Sequence, residues 1–143
     1  MSDLDGEIER EIIYDHYSHP RHTETMGDAG CLLENPSCGD RLRLRLAGAD
    51  PVDLRFEGKG CSISQASASM MAELLCGKSR EEAIVIAESV LAAFRGESPP
   101  ESLERYGDIA ALAGVAKLPV RVKCAALAWQ GALAALKQTG GIS

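Results

Sequence analysis

Six consecutive residues, Arg41-Leu42-Arg43-Leu44-Arg45-Leu46, alternate strictly between charged and apolar. An extended backbone turns successive side chains to opposite faces, so this run fits a strand with one buried side. The leucines line one face and the arginines the other. Gly48-Ala49-Asp50-Pro51 then supplies turn residues. Val52, Leu54 and Phe56 alternate with Asp53, Arg55 and Glu57, which gives a second strand antiparallel to the first. After Gly58 and Gly60, a short third strand is expected through Cys61 to Ile63, completing a meander. The arginine stripe reads as the wet face of an antiparallel sheet. Its alternative, a docking surface for an acidic partner, sits less easily on a chain whose own net charge is -6.

The leucine face needs a cover, and the remaining sequence supplies helices. Between Ile8 and Tyr17, Ile8, Ile12 and Ile13 share one face, opposite Glu7, Glu9, Arg10 and Glu11. Pro20 ends that helix, and the Gly-, Thr- and charge-rich segment from His19 to Glu34 is expected as a surface loop. His16, His19 and His22 have a spacing only suggestive of metal ligands and are expected instead to be solvated near the helix C-terminus, where the dipole favours a cation. Ser64 to Leu75 reads as a buried helix whose small residues allow close approach to the sheet, with Met70 and Met71 filling gaps. Ser79-Arg80-Glu81-Glu82 is a capping box opening a helix that runs to Phe94. A weaker helix is expected over Glu101 to Ala113, and a long Ala/Leu-faced one over Val122 to Lys137. The fold class is thus α+β, a three-stranded antiparallel sheet with helices packed against it. Its 143 residues, 45% of them hydrophobic, suffice for one domain spanning 1–143.

The acidic balance excludes a general nucleic-acid role. No apolar run approaches the length that spans a bilayer. The segment Met1-Ser2-Asp3-Leu4-Asp5-Gly6-Glu7 is polar and acidic, the opposite of a secretory signal, so a cytoplasmic location is expected. In a reducing compartment the five cysteines point to metal binding or thiol chemistry rather than disulfides.

Three cysteines stand in marked surroundings. Cys38 belongs to Asn35-Pro36-Ser37-Cys38-Gly39-Asp40, Cys61 to Gly58-Lys59-Gly60-Cys61-Ser62-Ile63-Ser64, and Cys124 to Pro119-Val120-Arg121-Val122-Lys123-Cys124-Ala125. The spacing of Cys38 and Asp40 places both side chains on one side of an extended backbone, with a glycine between them to let it bend. Cys61 lies near a junction into a helix, and Cys124 near a helix N-terminus that favours a thiolate. Cys38, Asp40, Cys61 and Cys124 are therefore the candidate ligands of one tetrahedral metal site. Lys123, Arg121 or Lys59 could offset its negative charge. Soft sulfur donors select Zn2+, Cu(I) or an iron–sulfur cluster, and the absence of a CxxC pair excludes a zinc ribbon. Cys31 and Cys76 read as small buried hydrophobes, Cys31 in a loop and Cys76 at the end of an apolar helix.

With these motifs the chain resembles the IscU/NifU N-terminal superfamily of iron–sulfur assembly proteins, most closely the SufU type. The match includes Asp15-His16-Tyr17, His19-Pro20-Arg21, the three cysteine motifs, Ala66-Ser67-Ala68-Ser69 and Leu127-Ala128-Trp129, in family order along the chain. Lys123 stands where the IscU type has a histidine, and the long segment between Cys61 and Cys124 resembles the SufU insertion. Leu118-Pro119-Val120-Arg121 lacks the second proline of the scaffold branch's chaperone-binding motif. The resemblance implies a zinc-dependent sulfurtransferase. It would accept persulfide sulfur from a PLP-dependent cysteine desulfurase of the SufS type and relay it toward a SufBCD-type scaffold. The implied mechanism is ligand exchange at zinc that frees one cysteine to attack the persulfide. Cys38, the thiol beside Gly39, is the expected acceptor, with Cys124 its competitor, and Asp40 is the hard ligand. The alternative is a scaffold that assembles a 2Fe–2S cluster on the same ligands.

Overall fold

A computed structural model describes residues 2–25, 30–36 and 39–142. In chain order it comprises α1 (Ser2–Ser18), β1 (Cys31–Asn35), β2 (Asp40–Ala49), β3 (Val52–Lys59), α2 (Ser62–Leu75), α3 (Arg80–Phe94), a 3-10 segment (Pro100–Lys117) and α4 (Pro119–Ile142). The sheet is antiparallel in the order β1-β2-β3. Leu44 pairs with Phe56 and Leu46 with Leu54. Leu42, Leu44, Leu54 and Phe56 are buried in one core with residues of α2 and α4. The alternation of β2 and β3 therefore sets both register and inner face. Among the described residues, no helix is long and apolar enough to cross a membrane.

The third strand is not the expected one. Cys61 has extended backbone angles but serves as the N-cap of α2, so Cys61 to Ile63 forms no strand. The third strand is β1, inside the segment expected to be a loop, with Cys31 opposite Leu44 and Asn35 opposite Asp40. Its only wholly buried side chain is Asn35, so it carries no alternating apolar signature and is held by pairing and by α4. Leu33 packs directly over Gly131, where an added Cβ would make the leucine side chain shift. The segment expected as a helix over Glu101 to Ala113 is a 3-10 run, interrupted at Gly107 (φ 80°).

Two buried polar links tie the helices together. Trp129 Nε1 donates to Ser67 Oγ at 2.9 Å, and Ser67 Oγ donates to the Ala125 carbonyl at 2.6 Å. His16 is 0% exposed, not solvated. One ring nitrogen lies 2.7 Å from Ser69 Oγ and the other 2.8 Å from Asp108 Oδ2, joining α1, α2 and the 3-10 segment. The expectation for His16 failed because its partners lie 53 and 92 residues away.

The outer edge of β3 is covered by two short segments. Phe56 N–H donates to the His22 carbonyl (3.2 Å) and Glu24 N–H to the Phe56 carbonyl (3.0 Å). At the other end, Gly77 N–H donates to the Val52 carbonyl (2.9 Å) and Val52 N–H to the Lys78 carbonyl (2.8 Å). Leu54 lies between, and its N–H donates to Cys76 Sγ at 3.3 Å. Burial pushes the Cys76 thiol above its usual range, against the pull of that N–H. On the outer sheet face, Arg45 makes a bidentate pair with Glu24 (2.8 Å to each oxygen) and Arg41 an exposed pair with Glu34 (3.4 Å). Much of the arginine stripe is thus matched within the chain.

Replacing Ser67 with Ala leaves Trp129 Nε1 without its buried acceptor. We expect destabilisation of about 1–3 kcal/mol, read by chemical denaturation, and unchanged stability would contradict the packing described.

Candidate metal centre

The donor atoms of Asp40, Cys61 and Cys124 all lie within 4.8 Å of one another. They come from three elements: the first residue of β2, the cap of α2 and the second turn of α4. Sheet pairing sets Arg41 opposite Lys59, which brings the end of β3 beside the start of β2. Gly60 then passes directly over Asp40 with φ at 149°, and a Cβ on it would overlap Asp40 Oδ1. Only a glycine lets the backbone come that close.

Asp40 is 1% exposed. Its Oδ1 accepts the Cys61 N–H at 2.9 Å. Its Oδ2 is buried and has no hydrogen-bond partner among the described residues. A buried carboxylate oxygen left in this state is costly unless a cation answers it. Each cysteine of the cluster has an N–H directed at its sulfur. Ser64 N–H donates to Cys61 Sγ at 3.5 Å, and Asn35 Nδ2 to Cys124 Sγ at 3.9 Å. Such donors stabilise sulfur that carries negative charge and orient it toward a metal. Cys124 is 0% exposed and Cys61 partly exposed. The donor set of two sulfurs and one unanswered carboxylate oxygen fits a thiophilic divalent ion such as Zn2+.

Three of the four expected ligands are thus brought together. Cys38 lies outside the described residues; Asn35 and Asp40, which flank it in sequence, are cross-strand partners. Lys123, Arg121 and Lys59 are exposed. Sequence reasoning missed Asn35, 7% exposed and aimed at Cys124. Its signal was present, since it opens the motif that holds Cys38 and Asp40.

Gly60→Ala should displace Asp40 and lower zinc affinity by roughly the 10- to 100-fold typical of a disturbed outer shell. Competition with a chromophoric chelator measures this, and native affinity in the variant would refute the close approach as a requirement.

Comparison with known proteins bears on the same residues. The family model described as the NifU-like N terminal domain matches residues 8–125. The chain is 44% identical over 124 residues to the zinc-dependent sulfurtransferase SufU of Bacillus subtilis, covering 85% of this chain and 84% of the relative. It is 39% identical over 131 residues to the iron–sulfur cluster assembly scaffold protein IscU of Streptococcus pyogenes serotype M1, covering 90% and 82%. A solved structure from Fervidobacterium islandicum, described as an iron–sulfur cluster assembly scaffold protein for the SUF system, superposes with a TM-score of 0.75. It is 32% identical, covering 88% of this chain and 94% of that one. The expected resemblance and fold class both stand, and the chain belongs to the NifU-like N-terminal domain family of SufU- and IscU-like proteins.

Proposed function

We propose that this protein is a cytoplasmic, zinc-dependent sulfurtransferase. It takes persulfide sulfur from a PLP-dependent cysteine desulfurase of the SufS type and passes it toward a SufBCD-type scaffold for iron–sulfur cluster assembly. The observation that carries this reading is the buried Asp40 carboxylate beside Cys61 and Cys124, whose Oδ2 has no hydrogen-bond partner among the described residues. Similarity to the Bacillus subtilis sulfurtransferase directs it to zinc and to sulfur transfer. Cys38, Asp40, Cys61 and Cys124 are the proposed ligands. Bound zinc supplies the positive charge that keeps these thiols deprotonated at neutral pH.

The residues divide the work by their surroundings. Asp40 accepts the Cys61 N–H through Oδ1 and cannot swing away without breaking that bond to the N-cap residue of α2. Cys61 accepts the Ser64 N–H as the cap of that helix. Cys124 lies in α4 at 0% exposure, which disfavours direct contact with a partner's sulfur. We assign the acceptor role to Cys38, which precedes Gly39 in the chain and which the family resemblance also favours. Its thiolate attacks the outer sulfur of the desulfurase persulfide. The S–S bond of the donor breaks, the desulfurase cysteine leaves as a thiolate, and Cys38 becomes a persulfide.

The second reading, assembly of a 2Fe–2S cluster as cargo on the same donors, draws support from the similarity to the Streptococcus pyogenes scaffold. Thiolates hold either. Protein purified without oxygen separates the two: a colourless protein with zinc favours transfer, and a brown chromophore favours the scaffold.

The acceptor assignment is tested by sulfide release from the desulfurase in the presence of each variant. Cys38→Ser should reduce stimulation at least tenfold, about 1.4 kcal/mol or more in activation free energy. Full stimulation by Cys38→Ser would remove that residue from the role.

A further inference from the structure

A second group of donors lies at the far end of α2. His22, Asp53 and Cys76 come from three separate stretches of chain, and one ligand atom from each lies within 4.8 Å of the others. Because α2 has 14 residues, its rise puts this group roughly 20 Å from the Asp40 cluster. The two are distinct.

Each member is held in place by the β3 edge. His22 adopts φ 61°, a left-handed conformation that few residues other than glycine take, and its carbonyl is anchored to Phe56 N–H. Asp53 is oriented by Arg55, with Nε 2.8 Å from Oδ1, and that guanidinium holds the carboxyl below its usual range and so ionised. Cys76 is the C-cap of α2, and its sulfur receives the Leu54 N–H. This last feature is shared with the first cluster. Among the described cysteines, Cys61, Cys124 and Cys76 each have an N–H directed at sulfur, and each stands with an aspartate. The wiring that suits two thiols as metal ligands is repeated at the third.

We propose that His22, Asp53 and Cys76 form a second metal site for Zn2+ or a similar borderline divalent ion. Nitrogen, oxygen and sulfur together match the ligand preference of zinc, and three protein donors leave a fourth position to water. On binding, the Cys76 thiol releases its proton to solvent and the sulfur takes the metal, while still accepting the Leu54 N–H. One thiolate and one carboxylate neutralise a divalent charge. The bound ion straps the 22–24 segment and the end of α2 to the outer edge of β3, which they already cover.

The test is Zn2+ titration of the metal-free full-length protein against a chromophoric chelator, alongside His22→Asn and Cys76→Ser. Asparagine tolerates the left-handed backbone, and serine keeps a hydroxyl against Leu54, so both variants are expected to fold. The native protein should take two equivalents, the second more weakly. Each variant should take one, with first-equivalent affinity unchanged within twofold. With Co2+ as probe, the second equivalent should add a thiolate-to-metal charge-transfer band in the native protein that Cys76→Ser lacks. Saturation of the native protein at one equivalent, or two equivalents in either variant, overturns the proposal.

Discussion

A carboxylate that is 1% exposed, with one oxygen bound to a backbone N–H and the other without a hydrogen-bond partner among the described residues, is the constraint from which the rest of the molecule follows. Burying an ionised carboxylate costs several kcal/mol in practice unless another charge answers it. In this chain the same carboxylate has an oxygen within 4.8 Å of two sulfurs, themselves supplied with N–H donors. Such an arrangement is unfavourable for an apo core and favourable around a cation. The stability of this end of the fold and the presence of a metal are therefore coupled.

The architecture serves that point. The β2–β3 register fixes where Lys59 ends, Gly60 carries the chain over Asp40, and Cys61 starts α2. The Ser67–Trp129 and Ser67–Ala125 bonds lock α2 against α4, which sets Cys124 against the other two donors. His16, through Ser69 and Asp108, holds α1 and the 3-10 segment onto the same helix. A small sheet and one central helix thus place donors that lie far apart in the chain, without a disulfide among the described cysteines.

The parts visible in the sequence were those with local periodicity or local chemistry. β2 and β3 followed from alternation, and α3 from its capping box, in which Ser79 Oγ accepts the Glu82 N–H at 3.1 Å. Asp40, Cys61 and Cys124 were legible because glycines and strand or helix ends surround them. β1 was not, because Cys31-Leu32-Leu33-Glu34-Asn35 is short and largely exposed, and becomes a strand only by pairing with β2. Cys61 to Ile63 looked like a strand because an N-cap residue is itself extended before its helix begins. The roles of His16 and Cys76 depend on partners from distant segments, so neither spacing nor composition could announce them. Cys76 in particular reads as a small hydrophobe until the edge it closes is known.

X-ray absorption at the zinc edge, on protein loaded with a single equivalent, tests the central claim most directly. Three sulfur scatterers at about 2.3 Å and one oxygen at about 2.0 Å are predicted. Asp40→Ala should remove or replace the oxygen shell and leave the sulfurs. A first shell made only of nitrogen and oxygen, or one unchanged by loss of the Asp40 carboxylate, would contradict it.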